Sequence, residues 1–211
     1  MKVLIDGHEV DEIAGNLDFR EICTEIIRQC GRQNRVVVSI DVDGDVRTGV
    51  DVKGVEDIEA SRVEVLKVQT APVREVSLNV LKECADGIPR LIGGLSEAVG
   101  CLQSGDTEGG MCKVERALTF WLDTQTGVRS ALRGLDLDFA AIVFPAKEGE
   151  ETASASQVLD RINSLLEETQ RAFEDEDSLE IGDILEYDLP PLLRLFQEAL
   201  YLSLEKCTVS E

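Results

Sequence analysis

The chain contains a single histidine, His8, and this scarcity excludes several classes of site. One imidazole cannot supply the several histidines of a zinc or di-iron centre. No two of the six cysteines have CxxC spacing, which zinc and redox motifs require. The glycine pairs Gly93-Gly94 and Gly109-Gly110 lack the GxxxxGKS/T or GxGxxG context of phosphate-binding loops. We therefore predict no metal site, no cofactor and no catalytic residue.

Aromatic residues and long apolar runs are also scarce. Phe, Trp and Tyr make up only 4% of the chain, so the core must be built mainly from Leu, Ile, Val and Ala, which favours helical packing. No apolar run approaches the roughly 20 residues that a membrane span needs. The N-terminus lacks the apolar segment of a secretory signal. These features predict a cytoplasmic protein whose cysteines stay reduced and pack as small core residues.

Positive charge is the third deficiency, with 21 basic residues against 42 acidic ones and a net charge of −21. Nucleic acid is disfavoured as a ligand, because phosphate binding requires a cationic surface. An anionic membrane surface is disfavoured for the same reason. A basic protein partner is compatible with this charge. The alternative is that the acidity only keeps the protein in solution.

Residues 1–71 show strand patterns around one helix. The Asp6-Gly7 and Asp43-Gly44 dipeptides predict tight turns between adjacent strands. The predicted strands are 2–5, 8–10, 35–42, 46–52 and 63–68. A helix is predicted at about 18–30, started by Asn16 or Asp18 and ended by Gly31 in the left-handed conformation. This order of elements resembles a β-grasp (ubiquitin-like) arrangement, which implies no particular chemistry.

Residues 72–211 have the apolar periodicity of helices. We predict two helical hairpins, at 88–134 and 157–206, packed as a bundle. Their weak similarity reflects either a duplication or shared amphipathicity. Pro89 is expected to break or kink the first helical stripe, and Pro190-Pro191 to kink the last helix or start a new one. The predicted fold class is therefore α+β, with a small β-grasp-like module followed by a helical domain.

The segment 151–188 is the most acidic part of the chain. Part of it forms a candidate docking face for a partner, to which Trp121 is added as a possible interface anchor. This face comprises Glu174, Asp175, Glu176, Asp177, Glu180, Asp183 and Glu186. The alternative is a solvated loop whose last residues cap the next helix.

The leading functional hypothesis is a non-enzymatic interaction protein, such as an adaptor, assembly factor or regulator. Long amphipathic stripes predict self-association through helices, giving a homodimer. One alternative is an enzyme that uses carboxylate acid–base chemistry in an interdomain cleft. Another is an acidic chaperone or mimic that shields a basic partner.

Overall fold

A computed structural model describes residues 1–10, 18–48, 58–144, 153–175 and 177–209. The chain divides into two compact units, residues 1–76 and residues 77–211. In the described residues the first contains a five-stranded sheet packed against an α-helix, and the second is helical. The predicted α+β class is confirmed.

The sheet of the first unit has the strand order β2-β1-β5-β3-β4. The strands are β1 (Lys2–Ile5), β2 (His8–Glu9), β3 (Arg35–Val42), β4 (Asp45–Thr48) and β5 (Val65–Pro72). The pairing of β1 with β5 is parallel, and the other pairings are antiparallel. The order strand, strand, helix, strand, strand, strand along the chain is the predicted one. The described part of the predicted strand 46–52 is β4, which spans Asp45–Thr48, and residues 49–52 of that prediction lie outside the described residues.

Helix α1 (Phe19–Arg32) covers the sheet with an apolar face. Asp18 starts it through a capping box, in which its side chain accepts from the Glu21 N–H and the Glu21 carboxylate accepts from the Asp18 N–H. The prediction for Gly31 was wrong, because the helix continues through it. Asn34 takes the left-handed conformation instead, with φ of 57°, and asparagine tolerates this region better than most residues.

Asp6 lies in the turn between β1 and β2, and its side chain is hydrogen-bonded to the central strand, β5. Its carboxylate accepts from the Thr70 hydroxyl at 2.6 Å, the Thr70 N–H at 2.8 Å and the Arg35 guanidinium at 3.2 Å. The hydrogen bond from Thr70, helped by Arg35, lowers the pKa of Asp6. Asp6 itself has a φ of 50°, which asparagine would also accept.

Asp6→Asn is expected to destabilise the first unit by about 1 kcal/mol, because one accepting oxygen is lost. In the wild type the Asp6 contribution is present above the unfolded carboxyl pKa of about 4 and disappears as pH falls through the lower folded value. Hydrogen exchange of the Thr70 amide across this range measures it. Asp45→Asn at an exposed site on β4 is the control. Equal acid sensitivity in Asp6→Asn and wild type would contradict the assignment.

The second unit is built from helices around one apolar core. They are α2 (Val73–Gln103), α3 (Thr107–Gly134), α4 (Ala155–Glu174), α5 (Ser178–Asp183) and α6 (Leu189–Val209). A π-helical turn, Ile184–Asp188, connects α5 to α6. Pro190 and Pro191 lie in the first turn of α6, where their missing N–H groups cost little. They were predicted to kink the last helix or start a new one; the backbone stays helical from α5 through the π-helical turn into α6, so the prolines follow a π-helical distortion and no separate helix starts at them.

Pro89 was predicted to break or kink the first helical stripe, and the break does not occur, because α2 runs through Pro89 without interruption. A proline inside a helix removes the hydrogen bond to the carbonyl four residues earlier, which here belongs to the buried Ala85. The Gln197 side chain of α6 donates to that carbonyl at 2.8 Å. A tertiary hydrogen bond thus replaces the helical one, and α2 avoids a buried unsatisfied acceptor.

Candidate functional site

An apolar groove of about 560 Å³ lies between α3 and α4. It extends along α3 from Met111 to Leu122, a length of about 16 Å at 1.5 Å per residue. On α4 it is bordered by the segment from Leu166 to Glu174. Farther along α3 the two helices are joined by a hydrogen bond from Gln125 to Asn163 of 3.0 Å.

The groove has a buried floor, half-buried walls and exposed apolar edges. Val114, Trp121 and Thr169 form the floor, each no more than 4% exposed. Leu118, Leu166 and Phe173 are half-buried along the walls. At the edges, Met111 is 41% exposed and Leu122 is 62% exposed. Large apolar side chains left open beside a buried apolar floor are typical of interaction sites.

Trp121 connects this groove to the core of the second unit. Its ring packs edge-on against Phe196 of α6, with 5.1 Å between ring centroids. The indole N–H of Trp121 is buried and has no acceptor among the described residues. Buried donors of this kind are rare in folded proteins, and each one costs about 1–3 kcal/mol.

Three carboxylates line the rim of the groove: Glu115 on α3, and Glu167 and Glu174 on α4. All three side chains are exposed, and no described Lys or Arg side chain lines the groove. Within the described ranges none of the three forms an ion pair; Glu174 accepts only from the Gln170 amide, at 3.2 Å. The rim is therefore uniformly negative around an apolar centre.

The residues of the predicted docking face fall in several places. Glu174 lies on the groove rim and Trp121 on its floor. Asp183 and Glu186 line a separate cavity of about 360 Å³ beside the C-terminal part of α2. Glu180 is exposed outside both cavities, and Glu176 lies outside the described residues.

Two of the predicted acidic residues sit at helix ends. The Asp177 carboxylate accepts from the Leu179 and Glu180 N–H groups at the start of α5. Asp175 is the C-cap of α4, its backbone N–H bonding back to Arg171 and Phe173. The capping alternative therefore describes Asp177 well.

Met111, Leu122 and Phe173 were not identified as site residues from the sequence. The signal available was the width of the α3 stripe. Met111, Leu118 and Leu122 lie at i, i+7 and i+11, beside the inward row of Val114 and Trp121. A stripe this wide presents more apolar surface than one packing face can cover.

Several carboxylates outside the groove have lowered pKa values. No group of three or more His, Cys, Asp or Glu side chains placed to hold a metal ion occurs in the described ranges. Hydrogen bonds from Thr70 and Lys67 lower the pKa values of Asp6 and Asp41. A hydrogen bond from Arg28 lowers the pKa of Glu25 to about 2. A general acid needs the opposite shift, so Asp6, Asp41 and Glu25 do not have the pKa values of that role.

Fold and site together define a protein with a β-grasp-like unit and a helical unit that carries an acidic-rimmed apolar groove. The chain belongs to the family described as Domain of unknown function (DUF8042), which matches residues 79–199. This match covers more than half of the chain and includes every residue lining the groove. No curated protein and no solved structure matches the chain. None of the described helices is long and apolar enough to cross a membrane.

Proposed function

We propose that this protein is a non-enzymatic interaction protein that binds an amphipathic helix of a partner, with basic residues flanking its apolar face. The observation that carries the proposal is the groove between α3 and α4, which combines an apolar floor with three carboxylates that form no ion pair among the described residues. An amphipathic helix supplies apolar side chains at i, i+3, i+4 and i+7, which suit a groove about three helical turns long.

Charge complementarity selects a basic helix over a neutral or acidic one. Glu115, Glu167 and Glu174 would lie beside the polar flanks of the bound helix, where Lys or Arg can reach them. The net charge of −21 adds a long-range attraction that speeds the association of a basic partner. We also propose a cytoplasmic location, since none of the six cysteines forms a disulfide among the described residues.

The test is calorimetric titration of the full chain with a synthetic peptide of about 18 residues, long enough to form a stable bound helix. The peptide carries Leu on one helical face and Lys on the other. Two control peptides replace Lys by Glu or permute the sequence so that the apolar face is lost. The Lys peptide is expected to bind and the two controls are not.

Variants locate the binding surface. Leu122→Glu is expected to weaken binding at least about tenfold, because the apolar face of the bound peptide would bury this carboxylate without a hydrogen-bond partner. Leu179→Glu, at a site 83% exposed and outside the groove, is the matched control. Neutralising Glu115, Glu167 and Glu174 together should also cost about tenfold, at a few tenths to 1 kcal/mol for each surface charge.

A second triple variant separates the groove from the face predicted by sequence. Glu180→Gln, Asp183→Asn and Glu186→Gln remove the same charge elsewhere, and binding should be nearly unchanged. If this variant lost binding while the groove variants kept it, the groove would not be the binding site. Self-association is measured in parallel by light scattering. A dimer that Leu122→Glu dissociates would identify a second copy of this chain as the occupant, and would overturn the choice of a basic helix.

A further inference from the structure

A second cavity, of about 270 Å³, lies between α2 and α3 and concentrates positive charge. Eight residues line it, and three of them are basic. They are Arg90, Leu91, Gly94 and Glu97 of α2, and Lys113, Arg116, Ala117 and Phe120 of α3. The chain has twice as many acidic as basic residues, so this local excess of positive charge stands out.

Helical spacing brings these residues together. Arg90, Gly94 and Glu97 follow one another at i, i+4 and i+7 along α2. The same spacing relates Lys113, Ala117 and Phe120 on α3. Residues three or four apart share a helix face, so two facing rows enclose the cavity.

Two contacts fix how the rows face each other. The Lys113 ammonium and the Glu97 carboxylate form an ion pair of 2.6 Å at one end of the cavity. At the other end Phe120 lies so close to Gly87 that a Cβ there would come within 2.6 Å of the ring. The cavity between these contacts exists because the facing side chains are small. A Cβ added to Gly94 would meet nothing within 4 Å, and the opposing Ala117 carries only a methyl group.

The charges of the cavity are only partly compensated. Glu97 holds Lys113 in an ion pair and raises the pKa of Lys113, with Arg116 acting in the opposite direction. Arg90 and Arg116 are exposed and form no ion pair or hydrogen bond with any residue that the structure describes. Guanidinium groups have planar, forked donors that match the oxygens of carboxylate and phosphate. Two such groups therefore lie at the cavity with no anionic partner among the described residues.

We propose that this cavity binds a small organic anion, with its phosphate or carboxylate group on Arg90 and Arg116 and its apolar part against Leu91 and Phe120. The volume of this cavity is slightly below that of drug-sized ligand pockets. A ligand that fits it is therefore about the size of a single ring or a short chain. The carboxylate of Glu97 is occupied by Lys113, so it does not repel the bound anion at full strength. This site is independent of the groove between α3 and α4.

The test uses phenyl phosphate as the probe, with benzyl alcohol as a neutral aromatic of similar size and inorganic phosphate as the bare anion. Binding is followed on the full chain by chemical-shift changes of backbone amides. Phenyl phosphate is expected to saturate a site whose shifts centre on Gly94 and Ala117. Inorganic phosphate should bind more weakly at the same place, and benzyl alcohol should not bind.

Variants decide whether the two arginines hold the anion. Arg90→Gln with Arg116→Gln is expected to weaken phenyl phosphate binding at least about tenfold. Arg129→Gln with Arg133→Gln removes the same charge from α3 outside the cavity and should change binding less than about twofold. Gly94→Leu should also abolish binding by filling the cavity, whereas Gly93→Leu, which does not line it, should not.

Unsaturable shifts, equal binding of benzyl alcohol, or equal losses in the two arginine pairs would each overturn the proposal. The amide shifts of each variant away from the cavity should match those of the wild type, which shows that the helical unit is folded. The two proposals can therefore fail separately.

Discussion

Phe196→Ala is expected to lower the free energy of unfolding of the helical unit by about 3–5 kcal/mol, the usual cost of truncating a buried phenylalanine. Phe196 is 1% exposed and packs edge-on against two aromatic rings. Trp121 of α3 lies at 5.1 Å between centroids, and Phe139 of the short 3₁₀ helix Phe139–Ala141 lies at 5.7 Å. Truncation therefore leaves a void where three elements meet.

Urea unfolding followed by the fluorescence of Trp121, the sole tryptophan of the chain, measures this loss. Phe139→Ala is the control, because Phe139 is half-buried and its described ring contact is with Phe196 alone. The loss of unfolding free energy in Phe139→Ala should be less than half of that in Phe196→Ala. A loss below about 1 kcal/mol in Phe196→Ala would contradict the placement of this ring at the centre of the core.

Gln197→Leu is expected to cost about 1–3 kcal/mol, because it leaves the buried Ala85 carbonyl without a donor. The size of this loss is expected to depend on Pro89. In a Pro89→Ala background residue 89 has an N–H that can donate to the same carbonyl, so Gln197→Leu should cost little. The two substitutions are thus predicted to be coupled by about 1–2 kcal/mol in a double-mutant cycle.

The hydroxyl of Tyr201 provides the control for this cycle. It donates to the Asp86 carboxylate at 2.7 Å and joins the same two helices, α2 and α6. Tyr201→Phe removes that bond and the contact of the hydroxyl with the Gln197 side chain, but it leaves the Gln197 amide that donates to the Ala85 carbonyl. Its cost should therefore be the same in the wild-type and the Pro89→Ala backgrounds. Equal costs of Gln197→Leu in both backgrounds would show that Gln197 does not replace the bond removed by Pro89.

The sequence predicted most of the first unit because its signals are local. The Asp-Gly turns fix two hairpins, and the strand 35–42 has the bounds that its β-branched residues indicated. The helix end was misplaced because glycine and asparagine both accept the left-handed conformation. Glycine is the commoner choice, but α1 continues through Gly31 and the left-handed residue that follows it is Asn34.

The course of α2 could not be predicted, because the group that makes Pro89 tolerable is distant. Gln197 lies 112 residues beyond Ala85 in the chain. No local rule connects the two. The acidic run near residue 176 was singled out by charge density alone, which cannot distinguish a helix cap such as Asp177 from a docking residue. The groove could not be predicted either, because the sequence does not show which part of each helix's apolar stripe is left uncovered by the neighbouring helix.

The most direct test of the proposed groove uses Trp121, which lies on its floor. The emission of this tryptophan is recorded while the Lys peptide, which contains no tryptophan, is added to the full chain. A saturable change is predicted, weakened by Leu122→Glu and unaffected by Leu179→Glu. Neither the Glu peptide nor the permuted peptide should produce it. Calorimetric binding of the Lys peptide with no change in Trp121 emission, or a change that Leu122→Glu leaves intact, would contradict the groove as the binding site.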